Sequence, residues 1–203
     1  MKLSKFALNY RNMKEEIRNL LLAEMSRRNT DLVADLVGKR PEVFDELFRL
    51  YLGGGDPVDR RAAWVIDLVT ESQPGFLEGR QEEIIRHLPL FRHDGLKRHS
   101  LRMLSRLPLP SGEEAAGVLM QTCFDWLLSP AEAVAAKVYC MDILVRFAEI
   151  EPDLRREVSD TIEWRIGEET PGFRTHAAKL LKKLRSSPGS PRPAGLSDPA
   201  ISR

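Results

Sequence analysis

The stretch "DPVDRRAAWVIDLV", residues 56–69, decides how this chain is read. It follows Gly53, Gly54 and Gly55 and opens on Asp56 and Pro57. A turn therefore gives way to a helix, because proline at the first helical position lacks only an N–H that would have had no partner. At about 100° per residue, Ala62, Ala63, Val65, Ile66 and Val69 share one side of that helix. Trp64 falls on the other. A large ring opposite the buried stripe calls for either a ligand or a further neighbour.

The same pattern returns downstream. An apolar-x-x-apolar quartet recurs as "IDLV" (66–69), "LSRL" (104–107), "MDIL" (141–144) and "LKKL" (181–184), with offsets near 38 residues. Four residues before each quartet stand Ala62, Ser100, Lys137 and Ala177, and one before stand Val65, Met103, Cys140 and Leu180. These positions and the two ends of each quartet fall on one side of a helix, which is the expected core. Between the quartets the punctuation predicts further helices, giving ten at about 10–28, 30–38, 41–52, 57–72, 75–88, 94–107, 112–128, 130–148, 151–166 and 171–186. Sustained strand-type alternation is absent, and Ala, Leu, Glu, Arg and Lys are frequent. The expected fold is all-α, with two helices per repeat.

At this level the residues carry a family resemblance. "DPVDRRAAWVIDLV" resembles the second helix of HEAT-like repeats, in which an Asp, often followed by Pro, precedes a basic residue, small residues and a leucine-like position. Here these are Asp56, Pro57, Arg60 or Arg61, Ala62 and Ala63, and Ile66. "DGLKRHSLRMLSRL" (94–107) and "PGFRTHAAKLLKKL" (171–184) are similar, whereas 130–144 departs by placing Ala135 and Ala136 where the basic residue belongs. The resemblance implies a right-handed α-solenoid, or α-α superhelix, of about four HEAT-like helical pairs plus an N-terminal capping pair. That unit would occupy residues 1–186. The segment 187–203 is rich in Pro, Ser and Gly, offers little to bury, and is expected to be disordered.

Opposite the expected core runs a second stripe. Two residues before each quartet stand Trp64, Arg102, Tyr139 and Lys179; Arg60 and Arg98 lie six before their quartets; Asp67 and Asp142 stand second within theirs. In HEAT-like solenoids the second helices line the concave surface, so the resemblance puts these eight residues in the groove. Rings and guanidinium groups beside charged neighbours are what protein interfaces favour. The competing reading is that Trp64 and Tyr139 fill seams between repeats. Removal of Arg102 or Lys179 is expected to cost the fold little.

Composition narrows the function classes. The formal net charge is +1, which conceals a basic block at 84–108, with six Lys/Arg against one acid, and an acidic block at 109–170, with thirteen acids against five bases. The longest apolar run, Ala62 to Ile66, is far short of the roughly 20 residues a membrane helix needs. The start has no apolar core of a secretory signal, so a cytoplasmic protein is expected. Cys123 and Cys140 sit on apolar stripes and read as buried thiols. His87, His93 and His99 are six apart and do not form the i, i+4 pair of a helical metal site, and the triple glycine lacks the Gly-Lys-Ser/Thr ending of a phosphate loop. No metal, cofactor or catalytic constellation is expected. The sequence thus reads as a non-catalytic interaction or scaffold module with a protein partner and no membrane contact. The alternative is a nucleic-acid-binding solenoid of the kind that includes alkylpurine DNA glycosylases, on the loose echo of Trp64 with Asp67, Tyr139 with Asp142, Arg98 and Arg102. Near-neutral charge argues against it.

Overall fold

The computed structural model describes the backbone of residues 2–186 and the side chains of residues 13–186; the tail at 187–203 lies outside the described residues. The triple glycine ends a helix as its chemistry requires. Gly54 donates its N–H to Leu50 O at 2.8 Å, and a Cβ there would come within 2.4 Å of that same oxygen. Gly55 takes φ 71°, the left-handed conformation that glycine adopts without a Cβ penalty. The chain can then turn back and start the helix that carries Trp64.

Among the described residues there are ten α-helices: α1 (Lys2–Ala23), α2 (Arg27–Gly38), α3 (Pro41–Gly53), α4 (Val58–Ser72), α5 (Gln81–His87), α6 (Asp94–Arg106), α7 (Glu113–Leu128), α8 (Val134–Ile150), α9 (Leu154–Ile166) and α10 (Pro171–Ser186). No strand occurs among the described residues. The even-numbered helices stack in one row, α2 on α4, α4 on α6, α6 on α8 and α8 on α10. The odd-numbered ones cover them, with α3 on α4, α7 on α8 and α9 on both α8 and α10. This is an α-solenoid of four helical pairs behind the leading pair α1–α2.

The row of second helices buries the side that the quartets mark. Ile66, Val69, Leu104, Met141, Leu144, Leu181 and Leu184 are all buried, as are Ala62, Ser100 and Ala177 at the small position. Each large aliphatic side chain taken fully out of water contributes about 1.5–3 kcal/mol, so the repeating quartet contributes a substantial part of the cohesion. Ser100 is small because Tyr51 of α3 comes down on it, the two hydroxyls lying 2.6 Å apart with both residues fully buried. Lys137 breaks the small-residue rule by folding its ammonium onto Glu169 at 2.6 Å.

Three helix boundaries depart from the sequence reading for local reasons. The expected helix at 75–88 is divided: a 3-10 turn at Pro74–Leu77 is followed by Gly79 at φ 70°, α5 occupies only Gln81–His87, and a second 3-10 turn spans Leu88–Leu90 around Pro89. α8 begins at Val134 instead of 130, and Glu132 in the preceding loop turns onto Lys97 of α6. α1 starts earlier than expected and ends at Ala23, after which Ser26 caps α2 by accepting the N–H of Asn29 at 3.1 Å.

Candidate interaction surface

The second position of the quartet behaves differently from its helical phase. On α4 alone, Asp67 points away from the first-helix layer. In the solenoid the neighbouring helix α6 closes over it and it is fully buried. An ionised carboxylate there needs donors, and α6 supplies three: His99 Nδ1 at 2.8 Å, Arg102 Nη1 at 2.9 Å and Arg106 Nη2 at 2.8 Å. Burial by itself would raise the Asp67 carboxyl, but the hydrogen bond from His99 and the charge and hydrogen bond of Arg106 outweigh it and hold the group below its usual range. Asp67 is the hub of the α4–α6 seam.

His99 connects this hub to Trp64. The carboxylate can only accept, so Nδ1 carries the proton; Arg98 Nη2, which can only donate, lies 3.1 Å from Nε2. Together the two contacts fix the plane of the ring. The imidazole thereby presents its face to Trp64, whose ring stacks on it with centroids 6.1 Å apart and planes 17° from parallel. On its other flank Trp64 borders a crevice with Leu21, Met25 and Arg61, at the junction with α1 and α2. The ring is only partly buried. It fills a seam on both sides and leaves part of its surface outward.

The other stripe residues are distributed as follows. Arg102 is not a solvated bystander, contrary to the helical phase: besides Asp67 it holds Glu71 Oε1 at 2.6 Å, and about a third of its side chain remains exposed. Its guanidinium, which burial alone would make less basic, is made more so by Asp67 and Glu71. Tyr139 is partly buried against the core, and Lys179 is exposed. Arg60 pairs with Asp56 at 2.6 Å, four residues back and just ahead of α4, while Arg98 is exposed apart from its contact with His99. Asp142 is partly buried and accepts from His176 Nε2 at 2.7 Å. Arg60, Trp64 and Asp67 are on α4, Arg98 and Arg102 on α6, Tyr139 and Asp142 on α8, and Lys179 on α10. The structure brings Trp64, Asp67, Arg98 and Arg102 together through His99; Tyr139, Asp142 and Lys179 lie further along the stack.

The two histidine bonds are one device used twice. Asp67 and Asp142 each stand second in a quartet, and His99 and His176 each stand five residues before the next. The register is present in the sequence, but only a comparison across repeats shows it. A second repeated feature is the burial of lysines against acids of the following repeat. Lys97 pairs with Glu132 beneath the Trp126 ring, its ammonium 4.9 Å from the centroid, and Lys137 pairs with Glu169, which also takes Arg165 Nη2 at 2.6 Å. Burial raises the Glu169 carboxyl, but Lys137 and Arg165 more than offset that and hold it below its ordinary value.

Among the described residues no cluster of three or more His, Cys, Asp or Glu side chains is arranged to hold a metal ion, and no helix is long and apolar enough to cross a membrane. Cys123 and Cys140 are unpaired and fully buried, and burial, with the neighbouring Cys123 thiol, pushes the Cys140 thiol well above its usual range.

A two-layer stack of helical pairs, closed between repeats by matched polar contacts, defines a helical-repeat protein. The chain belongs to the HEAT repeat domain family, whose model matches residues 17–184. No curated protein and no solved structure gives a significant match to the chain.

Proposed function

We propose that this chain is a non-catalytic protein-interaction module that holds its partner along the outward face of α4, α6, α8 and α10. The observation that carries the reading is the fixed presentation of Trp64 and Arg102 on successive second helices, with the partly buried Tyr139 on the next. Trp64 is held by His99, and Arg102 is held by two carboxylates, so both can engage a ligand without a large further loss of rotamer freedom. Lys179 and Arg98 add exposed charge at the edges. Family membership supports the same conclusion, since HEAT repeats generally serve as protein-interaction scaffolds. We place the activity in the cytoplasm, where two unpaired buried thiols persist.

The nucleic-acid alternative is weakened by where the arginines spend their charge. Arg102 and Arg106 neutralise Asp67, and Arg146 is committed to the carbonyls of Ser105 and Leu107. Duplex binding needs several cations free to displace counterions along one face. The test is capture of protein partners from source cells by the wild-type chain and by Tyr139→Ala/Lys179→Ala, with fluorescence anisotropy on duplex DNA alongside. The reading expects a partner retained by the wild type, lost by the variant with its circular dichroism unchanged, and DNA binding no tighter than about 10⁻⁶ M at physiological salt. Tight DNA binding with a steep salt slope would overturn it.

A further inference from the structure

The seams show what each second helix offers to the repeat that follows. Three positions, seven and three residues before the quartet and second within it, lie at i, i+4 and i+8 and form a line facing forward along the stack. On α6 that line is Lys97, Leu101 and Ser105. Lys97 pairs with Glu132 ahead of α8, Leu101 is fully buried, and Ser105 O accepts from Arg146 of α8. On α4 the last member is Asp67, bound by α6, and on α8 it is Asp142, bound by His176 of α10.

On α10 the line is Arg174, Ala178 and Lys182, and all three are exposed, with no further helix packed in front of them among the described residues. The position that holds an acid on α4 and α8 holds a lysine here. α10 contains no acid at all. Two of its five cations are taken by earlier helices, Lys183 by Glu149 and Arg185 by Glu163, while Arg174, Lys179 and Lys182 have no carboxylate partner among the described residues. Residues 187–203 hold a single acid, Asp198, against Arg192 and Arg203, so that segment is no acidic counterpart to the face.

We propose that the forward face of α10, formed by Arg174, Ala178 and Lys182, docks an acidic helix of a partner protein, which takes the place of a next repeat. Lys97 of α6 and Lys137 of α8 already meet carboxylates of the following element, Glu132 and Glu169, whereas the last position of the line, an acid bound by the next helix on α4 and α8, is reversed in sign to Lys182 on α10. Ala178 leaves room for the helix to approach, and the two flanking cations, two turns apart, match carboxylates spaced along one helix face. This surface is distinct from the stripe of Trp64, Arg102 and Tyr139, and either can fail without the other.

The experiment uses the full chain and a fluorescein-labelled, alanine-based helix of about 20 residues with Glu at every fourth position, a length at which such peptides hold helix in water. A helix with Gln in place of Glu and a duplex DNA serve as comparisons. The expected result is salt-sensitive binding of the Glu helix, weakened at least tenfold by R174E/K182E and severalfold by R174Q/K182Q, and unchanged by R92E, which reverses an exposed charge elsewhere. The substituted side chains are exposed, so melting should not change. Absence of binding would reduce the face to a polar end cap, and an equal loss with R92E would reduce it to non-specific attraction; either overturns the proposal. So would tighter binding of DNA, or self-association of the chain that R174E/K182E abolishes, which would make a second copy the occupant.

Discussion

Asp67→Asn changes one atom type at the centre of the α4–α6 seam and should cost the fold about 1.5–3 kcal/mol. The carboxylate is fully buried and receives three side-chain donors from α6 within 2.9 Å. Removing its charge leaves Arg102 and Arg106, both partly exposed, facing a neutral amide whose own N–H groups compete with the guanidinium donors, and hydrogen bonds to a charged group are worth about 1.5–3 kcal/mol. A domain of this kind has about 5–15 kcal/mol in total, so the loss is a large share. Urea denaturation of the wild type, Asp67→Asn and Asp142→Asn measures it. Asp142 is partly exposed and bonds one group, His176, so its change should cost only about 0.5–1.5 kcal/mol. The effect also has a pH signature. The Asp67 carboxyl is held below its ordinary value in the folded state, so its contribution is fully present above the unfolded value of about 3.9 and is lost as pH falls through the lower folded value. The stability gap between wild type and Asp67→Asn should therefore shrink as the solution is acidified below about pH 4. Equal losses for the two Asp variants, or a loss below about 0.5 kcal/mol for Asp67→Asn, would refute the hub.

Other outcomes follow from the packing. Leu104→Ala and Met141→Ala each should cost about 2–5 kcal/mol in denaturant melts, through lost burial and the cavity left behind, whereas Lys179→Ala should stay within about 0.5 kcal/mol. Glu169→Gln leaves Lys137 buried without its carboxylate, while Arg165 keeps Glu168, and should lower stability by about 3–5 kcal/mol, read from the shift in midpoint at constant slope. Cys123 and Cys140 should resist a thiol reagent in the native protein and react once it is unfolded; rapid native labelling would show that α7 and α8 open.

The quartets were legible because helical periodicity reports burial against the first-helix layer, and at Ile66, Leu104, Met141 and Leu181 that layer decides the environment. The same phase failed at Asp67. A single helix carries no information about the neighbour stacked 32 to 39 residues later, and it is α6 that buries this side chain. Arg102 follows from the same cause, since its partners Asp67 and Glu71 lie on the preceding repeat. The interruption before α5 was hidden because "PGFLEGRQEEIIRHL" keeps apolar residues at helical spacing, while the left-handed Gly79 is visible only in the backbone. Trp64 is anomalous by its phase alone, and its neighbours, His99 on one flank and the α1–α2 junction on the other, again come from adjacent repeats.

The central claim, that a partner protein lies on the second-helix face, is tested most directly by placing a photo-crosslinking phenylalanine analogue at Tyr139 and, separately, at Trp164, an exposed ring on the first helix α9. Irradiation in source cells should yield a discrete crosslinked protein from position 139 and none from position 164. Crosslinks from 164 alone would contradict the account and move the interface to the opposite layer.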